Sequence, residues 1–118
     1  MLLVDDDARP ARTLAHMLGE DGYSVELAFD GASAIERIGR VPELDVLVLD
    51  YMLPHVNGLA VASYARSRWK SIPIIFLTSY LEVLRRATST LSPPIVLLCK
   101  PLSYGDLTRE LDRIVPVA

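Results

Sequence analysis

Polar and charged residues with complementary chemistry stand at the ends of separate apolar runs in this sequence. They are Asp5, Asp6, Asp7, Asp50, Thr78 and Lys100. Acids gathered without a counter-charge repel one another, and a bound cation or a raised pKa relieves the repulsion. Carboxylate oxygens with no His or Cys among them suit Mg²⁺, which takes one or two carboxylates and keeps several waters. The acids therefore predict a magnesium site.

The remaining groups fit phosphoryl transfer. The Lys100 ammonium is a mobile point charge suited to a phosphate oxygen, and the Thr78 hydroxyl is a small hydrogen-bond donor. A carboxylate nucleophile, a divalent ion, an ammonium and a hydroxyl are together what the formation of an aspartyl phosphate requires. Asp50, in the middle of the predicted sheet, is the best-placed nucleophile.

Each acid also has a simpler interpretation when it is considered alone. Asp50 could be a solvated residue that ends a strand. Asp7 could be the N-cap of the first helix, a role that uses one side-chain oxygen. The chemical interpretation is favoured only if the ends of several strands meet, which depends on the fold.

The apolar pattern predicts five strands that alternate with five helices. The central strand, Asp45–Asp50, has four consecutive aliphatic residues and is typical of a parallel strand buried on both faces. The other predicted strands are Leu2–Val4, Ser24–Phe29, Ile74–Thr78 and Ile95–Cys99. This alternation requires a parallel sheet with right-handed crossovers and helices on both faces. Residues that end the strands then meet at one edge, where open α/β folds bind ligands.

Two details of the predicted packing concern the last third of the chain. Leu84, Ala87 and Leu91 are spaced to form the inward face of the fourth helix, although the following Thr and Ser residues are poor helix formers. Cys99 is expected to be a small buried hydrophobic residue in the fifth strand.

Composition limits the class of protein. With 118 residues, 51% of them hydrophobic, the chain is expected to form one domain over residues 1–118. A net charge of −3 argues against a nucleic-acid surface, so the expected partner is a protein or a small ion. The single cysteine suits a reducing compartment. Because the sequence shows neither a membrane-length apolar run nor a signal peptide, the expected location is cytoplasmic.

Four motifs follow the predicted strands in order. They are Asp5-Asp6, then Asp50-x-x-Leu53-Pro54-x-x-Asn57-Gly58, then Leu77-Thr78-Ser79, and finally Lys100-Pro101. With these motifs the sequence resembles the receiver domain of two-component response regulators from Leu2 to Ile114. The resemblance implies a flavodoxin-like α/β fold with a doubly wound, five-stranded parallel sheet in the strand order 2-1-3-4-5.

The resemblance also assigns roles to individual residues. Asp50 would accept a phosphoryl group from a histidine kinase or phosphotransfer protein, while Thr78 and Lys100 hold the phosphoryl oxygens. Asp6 would bind Mg²⁺ directly, Asp5 through water, and the backbone carbonyl of Met52 would complete the metal shell beside Asp50. The Lys100-Pro101 peptide bond is expected to be cis.

The implied function is signalling rather than enzymatic turnover. Phosphorylation would shift the population of two conformations, and the shifted form would bind a downstream protein or an effector domain. The domain itself would bind neither nucleic acid nor membrane. Its chemistry would be limited to self-catalysed phosphoacceptance and slow autodephosphorylation.

Two departures from the family pattern bear on how the signal would leave the domain, and a third pair of residues bears on the loss of phosphate. Leu97 stands where the family usually has an aromatic switch residue, and Pro93-Pro94 replaces a common Gly-Ala pair, so these departures affect output rather than phosphorylation. Met52 and Tyr80 are bulky where an acid or amide could orient an attacking water, which predicts slow loss of phosphate.

Three alternative functions remain at this stage. A pseudo-receiver would be a phosphate-independent protein-interaction module, although the five family positions carry the usual residue types. An aspartate-nucleophile phosphatase would need a second Asp two positions after Asp50, where Met52 stands. A flavin carrier would need a phosphate-binding loop rich in Ser, Thr and Gly after the first strand.

Overall fold

The computed structural model describes residues 1–114, in which five strands alternate with five helices. The strands are β1 (Leu2–Val4), β2 (Glu26–Ala28), β3 (Leu47–Asp50), β4 (Ile74–Thr78) and β5 (Val96–Cys99). The helices are α1 (Ala8–Glu20), α2 (Gly31–Arg40), α3 (Gly58–Arg68), α4 (Leu81–Thr88) and α5 (Tyr104–Ile114).

The five strands form one parallel sheet in the order β2-β1-β3-β4-β5, which confirms the predicted fold class. Val4 pairs with Leu49 in register, and Asp50 pairs with Leu77. Asp5 therefore follows β1 next to the end of β3, and Lys100 follows β5 next to the end of β4. This register brings the chemically active strand ends to one edge of the sheet.

Helices cover both faces of the sheet and enclose two hydrophobic cores. Buried residues of α2, α3 and α4 pack on one face, as shown by Ile38, Val61 and Leu84. Leu18 of α1 and Leu107 of α5 pack on the other face. Burying an aliphatic side chain of this size contributes about 1.5 to 3 kcal/mol to folding. Because β3 lies between both cores, all four of its residues are buried and Asp50 is fixed at its end.

Local signals explain where several helices begin and end. The side chains of Asp30 and Asn57 cap α2 and α3 by accepting the backbone N–H groups of Ser33 and Ala60. Helix α1 is followed by Gly22 with a φ of +96°, a conformation that suits glycine after a helix. The caps of α2 and α3 lie in the loops that follow β2 and β3 at the edge of the sheet that carries the site.

Three packing predictions were wrong in detail. In α4 the inward residues are Leu84 and Thr88, whereas Ala87 is exposed. Cys99 is also exposed, because β5 is the last strand of the sheet and has no neighbouring strand on its outer side. Asp7 does occupy the N-cap position of α1, but its side chain makes no capping hydrogen bond.

Candidate functional site

Three carboxylates converge at the carboxyl edge of the sheet. Oxygens of Asp5, Asp6 and Asp50 all lie within 4.8 Å of one another. Asp50 is buried with 6% of its surface exposed, Asp5 is half-buried and Asp6 is exposed. Backbone hydrogen bonds hold this arrangement, since the Asp5 N–H donates to the Ala28 carbonyl at 3.1 Å. The edge therefore carries an acidic cluster whose solvent exposure increases from Asp50 through Asp5 to Asp6.

Lys100 supplies the positive charge nearest to Asp50. Its Nζ lies 2.6 Å from Asp50 Oδ2. The backbone of Lys100 is held as well, because its N–H donates to the Thr78 carbonyl at 2.9 Å. The Lys100-Pro101 peptide bond is cis, as the family resemblance implied. The register of β4 and β5 thus directs an ammonium group to the predicted nucleophile.

The environment of Asp5 raises the pKa of its carboxyl. Partial burial raises the pKa of the Asp5 carboxyl above its ordinary value, and the negative charge of Asp50 acts in the same direction. The N–H of Asp7, which donates to Asp5 Oδ1 at 3.0 Å, opposes this rise in pKa. A cation placed among the carboxylates would offset the repulsion between Asp5 and Asp50.

Thr78 and Met52 occupy the positions predicted for them along the chain. Thr78 is the buried last residue of β4, and its hydroxyl accepts a hydrogen bond from the Tyr80 N–H at 2.8 Å. Met52 follows Asp50 by two residues and its N–H donates to Asp50 Oδ1 at 3.2 Å. The carbonyl of Met52 as a metal ligand and the contact of Thr78 with a phosphoryl group stay predictions.

The donor set fits a hard divalent cation. Asp5, Asp6 and Asp50 offer only oxygen atoms, and the cluster contains no thiolate or imidazole ligand. Exposure at Asp6 leaves room for water, which Mg²⁺ retains more readily than larger cations do. The residues present therefore suit Mg²⁺ better than zinc or another metal that prefers nitrogen and sulfur ligands.

An open cavity of about 850 Å³ begins at the acidic cluster. It runs from Asp50 and Lys100 along α1, past Leu14 and Met17, to Tyr104 at the start of α5. Asp50 can thus be reached from solvent through a groove that is polar at the acids and apolar farther away. No sequence motif indicated that Tyr104 would line this cavity.

The close approach of α3 to the site depends on Gly58. A Cβ atom at this position would lie 2.9 Å from the carbonyl oxygen of Asp50 and 2.7 Å from the ring of Phe76. The Gly58 N–H also donates to the Tyr51 carbonyl at 3.1 Å. The Asn57-Gly58 pair of the sequence motif therefore caps α3 and brings its first turn against the end of β3.

The rim of the site and the switch position agree with the sequence pattern. Met52, two residues after Asp50, and Tyr80, two residues after Thr78, have exposed fractions of 58% and 52%, so both bulky side chains are accessible to solvent. Leu97 is partly buried and packs against the core formed with α2, α3 and α4. No aromatic ring is available at Leu97 to move between two positions.

Comparison with known proteins gives consistent results over nearly the whole chain. Residues 1–112 match the family model described as the response regulator receiver domain. The response regulator MprA of Mycobacterium leprae is 38% identical over 115 residues, which are 98% of this chain and 50% of that protein. The chain thus spans about half the length of the curated relatives it matches.

Solved structures show the same architecture. The receiver domain of the sensor histidine kinase PA1611 from Pseudomonas aeruginosa, with a magnesium ion in its active-site cleft, is 28% identical with a TM-score of 0.83. The match covers 98% of this chain and 96% of that one. The response regulator TrrA of Thermotoga maritima, in complex with Mg²⁺-BeF, is 26% identical with a TM-score of 0.83 and coverages of 97% and 96%.

Within residues 1–114, no helix is both long enough and apolar enough to span a bilayer.

Proposed function

This chain belongs to the response regulator receiver domains of two-component systems, and we propose that it accepts a phosphoryl group on Asp50 with the help of Mg²⁺. The observation that supports this most directly is the 2.6 Å contact between Lys100 Nζ and Asp50 Oδ2 beside the oxygens of Asp5 and Asp6. The magnesium in the PA1611 and TrrA structures supports the choice of metal.

In the proposed reaction, a carboxylate oxygen of Asp50 attacks the phosphorus of the donor. The new O–P bond forms as the bond from phosphorus to the donor's leaving atom breaks, and the leaving group departs with that electron pair. A bound Mg²⁺, held by Asp5, Asp6, Asp50 and the Met52 carbonyl, would neutralise charge on the transferring oxygens. Lys100 would exchange its contact with Asp50 for a phosphoryl oxygen, and the Thr78 hydroxyl would donate to another.

The donor in this proposal is a histidine kinase or a phosphotransfer protein. The phosphorylated form would act on a downstream protein target or on an effector domain of a longer chain, since the curated relatives are about twice as long. The net charge of −3 gives no support for direct nucleic-acid binding. The lone cysteine suits the reducing cytoplasm as the location.

Intact-mass measurement after incubation with Mg²⁺ and a small acyl phosphate tests the proposal. We expect one added phosphate, which is lost in Asp50→Asn or when the metal is chelated. Asp45→Asn is the matched control, because Asp45 is an exposed acid just before the opposite end of the same strand. An unmodified wild-type protein, or equal labelling of Asp50→Asn, would contradict the proposal and leave a phosphate-independent interaction module.

A further inference from the structure

The loop that follows Asp50, residues 51–57, is closed at its base. The Gly58 N–H donates to the Tyr51 carbonyl at 3.1 Å, so the two ends of the loop are joined directly. Leu53 is buried in the core, and Asn57 caps α3 through the Ala60 N–H at 2.9 Å. Residues 54–56 connect Leu53, which directly follows Met52, with the cap of α3.

That segment contains a strained turn. The Val56 N–H donates to the Pro54 carbonyl at 2.7 Å, which closes a three-residue turn around His55. His55 has a φ of +66° and is the one residue other than glycine with positive φ in the described chain. Three-residue turns of this kind are rare and strained, and such conformations persist only where the surrounding structure enforces them.

The enforcing contact comes from the first residue of α2. A Cβ atom at Gly31 would lie 2.7 Å from both the Cβ and the carbonyl oxygen of Val56. Gly31 does not have positive φ, so glycine is needed here for close approach rather than for backbone conformation. The Asp30 side chain fixes this turn of α2 by accepting the Ser33 N–H at 2.6 Å. Val56 thus rests on a rigid backbone surface.

We propose that Gly31 is a positioning residue for the metal site. By admitting Val56 against α2, it holds the strained turn and sets the path of the loop that carries Met52 past Asp50. The Met52 N–H already contacts Asp50 Oδ1 at 3.2 Å, so the Met52 backbone and the carboxylate are positioned together. This inference rests on the proposed function, in which Asp50 and the Met52 carbonyl bind Mg²⁺.

Calorimetric titration with Mg²⁺ alone, in wild type and in Gly31→Ala, tests the inference. The added methyl group must displace either Val56 or the first turn of α2, and the displacement reaches Met52 through the loop. We expect Gly31→Ala to weaken Mg²⁺ binding about tenfold, as is typical when residues that orient metal ligands are changed. Gly39→Ala is the matched control in α2, because its methyl group meets only the flexible Tyr64 hydroxyl, at 3.0 Å.

A double variant separates positioning from general stability. His55→Gly removes the strain at positive φ, so Gly31→Ala/His55→Gly should fold with a higher free energy of unfolding than Gly31→Ala while still binding Mg²⁺ more weakly than His55→Gly. If Gly31→Ala alone does not fold, the Mg²⁺ affinities of Gly31→Ala/His55→Gly and His55→Gly still test the inference. If the Gly31→Ala substitution leaves the Mg²⁺ affinity unchanged in both backgrounds, this inference is wrong, while the proposed function is unaffected. Failure of the wild-type protein to bind Mg²⁺ would overturn the proposed function together with it.

Discussion

At the scale of single residues, Lys100 balances part of the charge of three acids. Asp50 is buried and its direct ionic partner is Lys100, whose side chain is 35% exposed. A paired surface lysine contributes little to stability, whereas a buried carboxylate left beside two other acids is unfavourable. A cation bound among Asp5, Asp6 and Asp50 would offset the same negative charge, so the loss of Lys100 is expected to matter less when Mg²⁺ is present.

Lys100→Gln should therefore lower the free energy of unfolding by about 1 to 2 kcal/mol in the absence of divalent cations. Saturating Mg²⁺ should narrow the difference, because the metal replaces the missing positive charge. Urea denaturation with and without Mg²⁺ measures both quantities. Lys70→Gln is the control, since Lys70 is an exposed lysine outside the site. If the difference in unfolding free energy between wild type and Lys100→Gln does not depend on Mg²⁺, Lys100 does not stabilise the protein by offsetting the charge of the acids.

If Asp50 is phosphorylated as proposed, we expect the lifetime of that state to depend on Met52 and Tyr80. Both side chains are exposed, and neither carries the carboxylate or amide that would orient a water attacking the phosphoryl group. Introducing Met52→Asn together with Tyr80→Glu should make phosphate loss several times faster, with the larger share from the added carboxylate. The decay of the phosphorylated mass after removal of the donor measures this rate. Equal decay in the two proteins would mean that these side chains do not control access of water.

At the scale of elements, the contact between β3 and α3 depends on the absence of a side chain at Gly58. Gly58→Ala forces a methyl group against the Asp50 carbonyl and the buried Phe76 ring, so we expect a loss of about 1 to 3 kcal/mol in unfolding free energy. Gly19→Ala should have the opposite sign, a gain of up to about 1 kcal/mol, because this α1 position has open space around it. Thermal and urea unfolding of the two variants give the comparison. A stabilised Gly58→Ala protein would contradict the proposed close packing.

Helix α4 shows why the apolar pattern alone misplaced an inward face. Thr88 is buried because its hydroxyl donates to the Leu84 carbonyl at 2.9 Å, which satisfies the polar group within the helix. A hydropathy pattern assigns that position to Ala87 instead. In β5 the pattern indicated a buried strand, but only the strand order determines that it lies at the sheet edge and exposes Cys99.

At the scale of the whole molecule, the alternation of strands and helices predicted a parallel sheet covered on both faces and the edge at which the site lies, whereas the strand order followed from the family resemblance. Asp5, Asp50, Thr78 and Lys100 could be assigned because each directly ends or follows an apolar run. The contact of Gly31 with Val56 could not be predicted, since both residues lie in loops or helix starts with no periodic pattern. Such contacts depend on how two loops from different crossovers meet in space.

The attachment of α5 to the N-terminal half of the chain is a second feature that the sequence pattern could not predict. Tyr104 donates to the Met17 carbonyl at 3.1 Å and to the Asp21 carboxylate, and Tyr23 donates to Asp112 at 3.1 Å. These phenols connect both ends of α5 with α1 and the segment that follows it. Partial burial, the hydrogen bond to Asp21 and the charge of that carboxylate raise the pKa of Tyr104 to about 12. Partial burial, the hydrogen bond to Asp112 and the charges of Asp112 and Asp21 raise the pKa of Tyr23.

A raised phenol pKa means that the folded protein holds the proton more tightly than the unfolded chain, in which tyrosine titrates near pH 10. The stabilisation from Tyr104 is therefore fully present below about pH 10 and is lost as the pH rises toward about 12. Tyr104→Phe should be less stable than wild type at neutral pH, by about 1 kcal/mol for the lost hydrogen bonds. Its unfolding free energy should also fall less steeply with pH in this window.

Urea denaturation between neutral pH and pH 12 measures these slopes in wild type, Tyr104→Phe and Tyr23→Phe. Subtracting each variant curve from that of wild type removes the titration of lysines and other groups common to the proteins. The difference for Tyr104→Phe should shrink across the window, since an ionised phenol can no longer donate to Asp21 and is repelled by it. A difference that stays constant up to pH 12 would mean that the attachment of α5 does not depend on the protonated phenol.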